Sequence, residues 1–219
     1  MAARFPLPNG AIVEIASMLG AAIPFTAITN AAPPVVSAAG HDLDDGSVVL
    51  LNSGWAKIND RAARIIGSSA DSFSLAGLNT ADPEIYTLGA GIGSVIPVTG
   101  WIQISKVTGF TPSGGEQQFT TVGYLEDDDD RQFPSNRNPI ALSVVVEDQP
   151  TAAYVGAVEG FDETKELTVI RLKLRNGDQI LYPGYVSITT TPTMERNNVM
   201  TRTISVGLSG RPLRYLAAS

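Results

Sequence analysis

The sequence predicts a mainly β fold with a single helix, and three observations carry that expectation. Short runs rich in Val, Ile, Thr and aromatic residues alternate with Gly, Pro, Asn and Asp along nearly the whole chain. One segment has apolar residues at helical spacing. Asn176-Gly177 joins two of the β-type runs, and an Asn-Gly pair supplies the positive φ angles that a tight hairpin turn requires. With 219 residues, 43% of them hydrophobic and 17% charged, the chain has enough apolar material for one or two cores.

Taken in order, residues 1–30 form an N-terminal arm and a first strand at 11–15. The apolar stretch 10–28 does not read as a signal peptide or a membrane span. Glu14 sits in its middle, Pro24 breaks it, and Pro6, Pro8 and Asn9 stand where a basic region should lead in. The cytoplasm is then the compartment of synthesis. Pro33-Pro34 marks a linker, and residues 31–93 hold a compact set of strands at 47–51, 62–66 and 72–75. A connector, Gly89-Ala90-Gly91-Ile92-Gly93, leads into residues 94–219. There strands are expected at 101–108, 117–123, 141–147, 167–174, 179–182, 185–190 and 200–208. The helix is expected at about 151–165, where Ala152, Val155, Val158 and Phe161 share a face and Gly160 weakens it. Residues 123–139 are polar and form an unusually long connection between strands, of the kind that carries function, and are expected to become ordered against a partner.

Composition excludes several function classes. A net charge of −7 has the wrong sign for gripping phosphates. No cysteine means no disulfide framework, thiolate nucleophile or zinc-thiolate site, and one histidine rules out a His-rich metal cluster. Charge is also uneven: residues 1–95 carry 4 Lys/Arg against 8 Asp/Glu, residues 96–166 carry 4 against 12, and residues 167–219 carry 7 against 2. An acidic middle and a basic end suit head-to-tail self-association, although acidic solvated loops account for the distribution equally well.

The catalytic motifs fail one by one. The glycines at 89–93 are too close for G-x-G-x-x-G and lead into a strand rather than a helix, so no nucleotide cofactor is expected. No serine stands in a G-x-S-x-G elbow, and His41 lies on a Gly/Asp turn where it packs or caps. The run Asp127–Asp130 lacks the Gly and Glu of an EF-hand loop. It reads as a solvated or inter-subunit acidic loop, with a bound Ca²⁺ or Mg²⁺ as the lesser alternative. Paired-carboxylate hydrolysis could use Glu116, Glu147 or Glu163, but a pair held apart in a cleft is not something a sequence shows. No enzyme, metal or cofactor is expected.

The C-terminal half carries a more specific pattern. It runs Arg171-Leu172-Lys173-Leu174-Arg175-Asn176-Gly177, then Tyr182-Pro183-Gly184-Tyr185-Val186, then Met200-Thr201-Arg202-Thr203-Ile204-Ser205-Val206, and ends Gly210-Arg211-Pro212. In order and spacing this resembles the major tail tube proteins of lambda-like long-tailed phages. The acidic segment 126–130, followed by Gln132-Phe133-Pro134, resembles that family's long loop. A small β-domain recurrent in phage structural proteins is resembled by His41 to Gly46, Gly54-Trp55, Asn59-Asp60-Arg61 and Asp71-Ser72-Phe73-Ser74-Leu75.

The resemblance implies a β-sandwich tail-tube domain with one flanking α-helix, plus a small inserted β-domain, in a structural virion protein. Such subunits form hexameric rings that stack into a hollow tube through which DNA passes without specific binding. The implied partners are other copies of the chain, a tape-measure protein, and tail terminator and distal tail proteins, with no membrane. The loop at 123–139 would reach the adjacent ring, which makes Glu126, Asp127, Asp128, Asp129, Asp130, Arg131, Phe133 and Arg137 its stacking residues. Strand alternation nominates Ser143 and Glu147, then Ser187, Thr189 and Thr191, then Thr201, Thr203 and Ser205 as lumen-facing. The opposite faces, Leu142-Val144-Val146 and Met200-Ile204-Val206, would fill the sandwich, and Arg202 interrupts the second as an interface candidate. Any antiparallel sheet with a solvated side produces the same Ser/Thr pattern. The alternatives are a tail terminator, tip or decoration protein, or a β-sandwich carbohydrate-binding module using Trp55, Trp101 or Tyr154.

Overall fold

The computed structural model describes residues 9–217; the expected N-terminal arm at residues 1–8 lies outside the described residues. In chain order the strands are β1 (Ile12–Leu19), β2 (Ile23–Phe25), β3 (Ala27–Ile28), β4 (Val35–Ser37), β5 (Val48–Ser53), β6 (Ala62–Ile66), β7 (Ser72–Ala76), β8 (Gly93–Ile104), β9 (Val107–Gly114), β10 (Gln117–Val122), β11 (Arg131–Arg137) and β12 (Ile140–Glu147). The helix α1 (Ala153–Thr164) follows, and then β13 (Thr168–Lys173), β14 (Gln179–Ile188), β15 (Thr201–Leu208) and β16 (Leu213–Tyr215).

All strand pairs are antiparallel. Among the described residues fourteen strands join in one hydrogen-bonded path, β3-β4-β7-β6-β5-β8-β1-β13-β14-β15-β12-β9, with β2 on β8 and β16 on β14, and β10 and β11 pair only with each other. The long strand β8 belongs to both halves of this path. Its N-terminal part pairs with β2 and β5, and its C-terminal part pairs with β1, so the expected boundary at residue 93/94 falls at the start of a strand that serves both halves.

Three apolar clusters stack through the molecule. In the first, α1 covers one face of the curved sheet β8-β1-β13-β14-β15-β12, burying Tyr154, Val155, Val158 and Phe161 against Ile15, Val144, Ile170, Ile204 and their neighbours. The second fills the smaller half around Phe25, Trp55, Ile65, Phe73 and Val95. The third joins the halves, with Val48, Leu50 and Ala62 packed on Val169, Leu181 and Tyr215. This explains the uninterrupted apolar run of β5: Val49 and Leu51 enter the second cluster while Val48 and Leu50 enter the third, as a strand covered on both faces requires. The Tyr215 hydroxyl fastens the joint, donating to the Ala76 carbonyl at 3.0 Å and accepting the Arg64 N–H at 3.0 Å.

Several expected elements move. The helix is shorter at both ends than 151–165 and stops where Lys165 turns left-handed at φ 54°. Gly156 and Gly160 lie on its exposed side with open space around them. The strand expected at 101–108 is the end of β8 and the start of β9, separated at Ser105 and Lys106, the latter at φ 55°. The two strands expected at 179–182 and 185–190 are one, β14, despite Pro183. The Pro183 carbonyl accepts from the Ser209 N–H, so the edge that lacks an N–H faces the gap between β16 and β15. Residues 123–139 are not one long loop, because β11 pairs with β10 and leaves only 123–130 as the turn. Met200 is 45% exposed rather than in the core.

Candidate functional site

The polar face nominated by alternation forms a surface through the register of four strands. Ser187 of β14 stands opposite Ser205 of β15, Ser205 opposite Ser143 of β12, and Ser143 opposite Thr111 of β9. Four hydroxyls therefore form one row across the sheet. Below it runs Thr203-Val145-Gly109, and at the far end Thr201 faces Glu147. Glu147 is the one charged side chain on this face of the four strands. The face is open while its reverse is sealed: Leu142, Val144, Val146, Ile204 and Val206 are all buried under α1. Thr111 escaped sequence reasoning because Gly109, Pro112 and Gly114 mask the β pattern of β9.

Thr189 and Thr191 lie past the end of β14. Thr189 still binds β15, its hydroxyl accepting the Thr203 N–H at 3.0 Å. Thr191 belongs to the loop 189–200, which an isolated bridge between Thr193 and Thr201 folds back. Expected to continue the hydroxyl face, Thr191 instead sits at the sheet's end, because the chain turns before Pro192.

Arg202 is inside its own subunit, 7% exposed, rather than presented at a surface. Its Nε donates to the Thr189 carbonyl at 2.8 Å, and its guanidinium lies 4.0 Å from Asp148 and 3.6 Å from Glu159. For this interface candidate the alternatives were an acidic partner at an interface or a place near a strand end; within the subunit both carboxylates come from the same chain, because α1 and the turn before it pack over this end of β15. Burial pushes the neighbouring Tyr154 hydroxyl above its ordinary pKa, with Arg202 acting in the opposite sense, so it stays neutral.

The eight stacking candidates sit on a ribbon that projects from between Gly114 and Ile140. Gly114 and Gly115 both adopt positive φ (79° and 81°), and a Cβ on Gly114 would stand 2.0 Å from the Pro139 carbonyl oxygen, so the sharp turn at the base of the arm demands glycine. Every residue of β11 is exposed. Arg137 is spent on the base, its Nε donating to Gln117 Oε1 at 3.1 Å. Arg131 is spent at the tip, pairing with Asp127 at 2.6 Å and lying 5.8 Å over the Tyr124 ring. Glu126, Asp128, Asp129, Asp130 and Phe133 point to solvent. Phe119 stands opposite Pro134, and Phe133 opposite Thr120, so each face of the ribbon carries one phenylalanine. Among the described residues no three His, Asp or Glu side chains converge as metal ligands.

The remaining motifs serve structure. His41 Nδ1 accepts the Leu43 N–H at 3.1 Å and its ring meets Phe73 edge-on. Gly91 and Gly93 allow close packing, since a Cβ would stand 2.7 Å from Trp55 and 1.9 Å from the Asn52 carbonyl oxygen respectively. Trp55 is buried, and Trp101 lies under the Arg171 guanidinium at 3.8 Å. That guanidinium also pairs with Glu14 at 2.6 Å, and Lys173 reaches the same carboxylate at 3.1 Å. Sequence reasoning missed this clamp; its trace is a lone Glu in an apolar strand and two cations alternating along β13. Asp178 is held below the ordinary carboxylate pKa, first by the Ala217 backbone N–H at 2.9 Å and then by Arg214.

No curated protein matches the chain. Among solved structures, it is similar to the tail of an empty GTA particle refined helically with C6 symmetry, at 13% identity over 55% of this chain and 89% of that one, with a TM-score of 0.42. It is also similar to the anti-feeding prophage cap that terminates the AFP tube, at 16% identity over 52% and 83%, with a TM-score of 0.37. The family described as phage tail tube protein matches residues 53–217, three quarters of the sequence. The chain belongs to the phage tail tube protein family, and is a structural component of a virion's tail.

Proposed function

We propose that copies of this chain close edge to edge into rings of six, and that the rings stack into a hollow tube with the hydroxyl face inward and DNA passing along it. The observation that carries this reading is the row Thr111-Ser143-Ser205-Ser187, which among the described residues ends on an unpaired backbone edge at each side. On one side β9 is the last strand of the path. On the other, β13 leaves β14 after Gly184, so among the described residues the outward edge of residues 185–188 has no strand beside it, only the Asp162 carboxylate on the Ile188 N–H. An open edge at each end of a four-stranded face invites pairing between copies, and a closed ring removes both. Six is the number that the family resemblance implies.

Hydroxyls and one carboxylate suit a wall that DNA slides past. A basic wall would form phosphate contacts that each had to be broken during passage. The arm β10-β11 would then bridge successive rings, a heterologous contact that repeats. Residues 31–93 pack through Val48, Leu50 and Ala62 on Val169 and Leu181, on the side of β13 and β14 opposite α1, and would decorate the tube or strengthen contacts between copies. A tape-measure protein would fill the lumen before DNA, and terminator and distal tail proteins would close the ends. Catalysis has no part in this reading.

Labelling tests the inward face. A Ser205→Cys variant should react with a thiol reagent carrying a bulky polymer at least about tenfold more slowly after assembly than as a monomer, and a Ser69→Cys variant at equal rates. Equal reactivity of Ser205→Cys in both states would place the hydroxyl row outside.

A further inference from the structure

The four strands of the hydroxyl face share one axis, and their register gives the subunit two distinct ends. Gly114, Ile140 and Gly207 mark one end; Val107, Glu147, Thr201 and Ile188 mark the other. The arm leaves from the first end. The loop 189–200 joins Ile188 to Thr201 at the second.

Both ends present large apolar side chains to water. At the arm's turn Tyr124 is 44% and Leu125 fully exposed, while on the loop Met194 is 72%, Val199 64% and Met200 45% exposed. Clustered exposure of this kind marks a contact surface, and methionines adapt readily to a partner's shape. The loop is not slack. Thr193 and Thr201 exchange backbone hydrogen bonds at 2.8 and 3.3 Å, Asn198 binds Glu195 at 2.7 Å, and the Met200 carbonyl accepts from the Asp148 N–H at 2.9 Å. The arm's turn carries Glu126, Asp128, Asp129 and Asp130; the opposite end is of mixed charge, with Arg196 and Lys106 exposed and in no ion pair among the described residues, beside Glu195 and Glu147.

We propose that the Tyr124-Leu125 turn of one copy seats on Met194, Val199 and Met200 of the next copy along the tube, with the acidic residues beside it facing Arg196 and Lys106. One subunit thus carries the plug at one end and the socket at the other, the geometry of a head-to-tail contact that does not close. This inference rests on the tube reading above and names the surface that receives the arm.

The absence of cysteine gives a clean test. The double variant Leu125→Cys/Met194→Cys, concentrated and oxidised, should give a covalent ladder well beyond the dimer on a non-reducing gel, while each single variant stops at the dimer. Electron microscopy of the same samples separates the outcomes. Rods with a ladder support the contact. Rods without a ladder overturn the contact and leave the tube reading standing. Neither rods nor ladder at high concentration, from variant and unmodified chain alike, overturns both. As a second readout, Met194→Asp at an exposed site should keep the thermal midpoint of the monomer and lower rod yield at least about tenfold; an unchanged yield would overturn the proposal.

Discussion

The sheet β9-β12-β15-β14 and the ribbon β10-β11 are both antiparallel, both polar on a solvent face, and adjacent in the chain, yet they are held in place by different things. In the sheet every second residue enters a core sealed by α1, so its geometry is complete within one subunit. The ribbon has no such face. Its phenylalanines sit one on each side, and nothing else in the path pairs with it. A two-stranded ribbon alone is marginal in water. The contrast teaches that the sheet is fixed by a core within the monomer, whereas the ribbon rests on its own backbone pairing.

Substitutions should separate the two. The largest effect is expected from Arg202→Glu, which sets a third carboxylate against Asp148 and Glu159 in a nearly dry site and leaves the Thr189 carbonyl without its donor. It should cost the monomer about 3–5 kcal/mol in denaturant unfolding. A stable, monomeric Arg202→Glu protein would mean that Arg202 belongs to an interface after all. Ile204→Ala should follow at about 2–4 kcal/mol from lost burial and the cavity left behind.

Replacing residues 123–130 by a short Gly/Ser turn should shift monomer stability by no more than about 0.5 kcal/mol, because this segment lies on the surface, and yet should abolish stacking. A large loss of stability would show that the ribbon supports the fold. At the small end, Arg131→Ala breaks an exposed pair with Asp127 and should change unfolding by less than about 0.5 kcal/mol.

Asp178 sharpens the comparison through pH. Its carboxyl is depressed in the folded chain, so its contribution is present above the unfolded value, near 4, and disappears as pH falls through the lower folded value. An Asp178→Asn variant should therefore lose stability at neutral pH and converge with the unmodified chain in acid; parallel profiles over that window would exclude the Ala217 and Arg214 contacts as the source.

The same contrast explains what could be read from the sequence. Strands with a core behind them announced themselves, since Leu142-Val144-Val146 alternates cleanly with Ser143, Val145 and Glu147. Elements without a core did not. Pro134, Ser135 and Asn136 read as loop because β11 is held by backbone pairing with β10, which does not select apolar residues. β16 was invisible because three residues carry no period. The hydroxyl face was legible as alternation on single strands, but the row through Thr111 is a matter of register across four strands, which depends on where β9 begins. Arg202 misled because a cation on an apolar face resembles an interface residue until the carboxylates of a neighbouring turn and helix are seen to close over it.

The most direct test of the account is electron microscopy of the purified, unmodified chain at high concentration, with light scattering on the same sample to fix its starting mass. Hollow rods with a regular axial repeat are the predicted result. A discrete particle of fixed mass that never extends, at any concentration, would contradict a subunit that carries the plug at one end and the socket at the other.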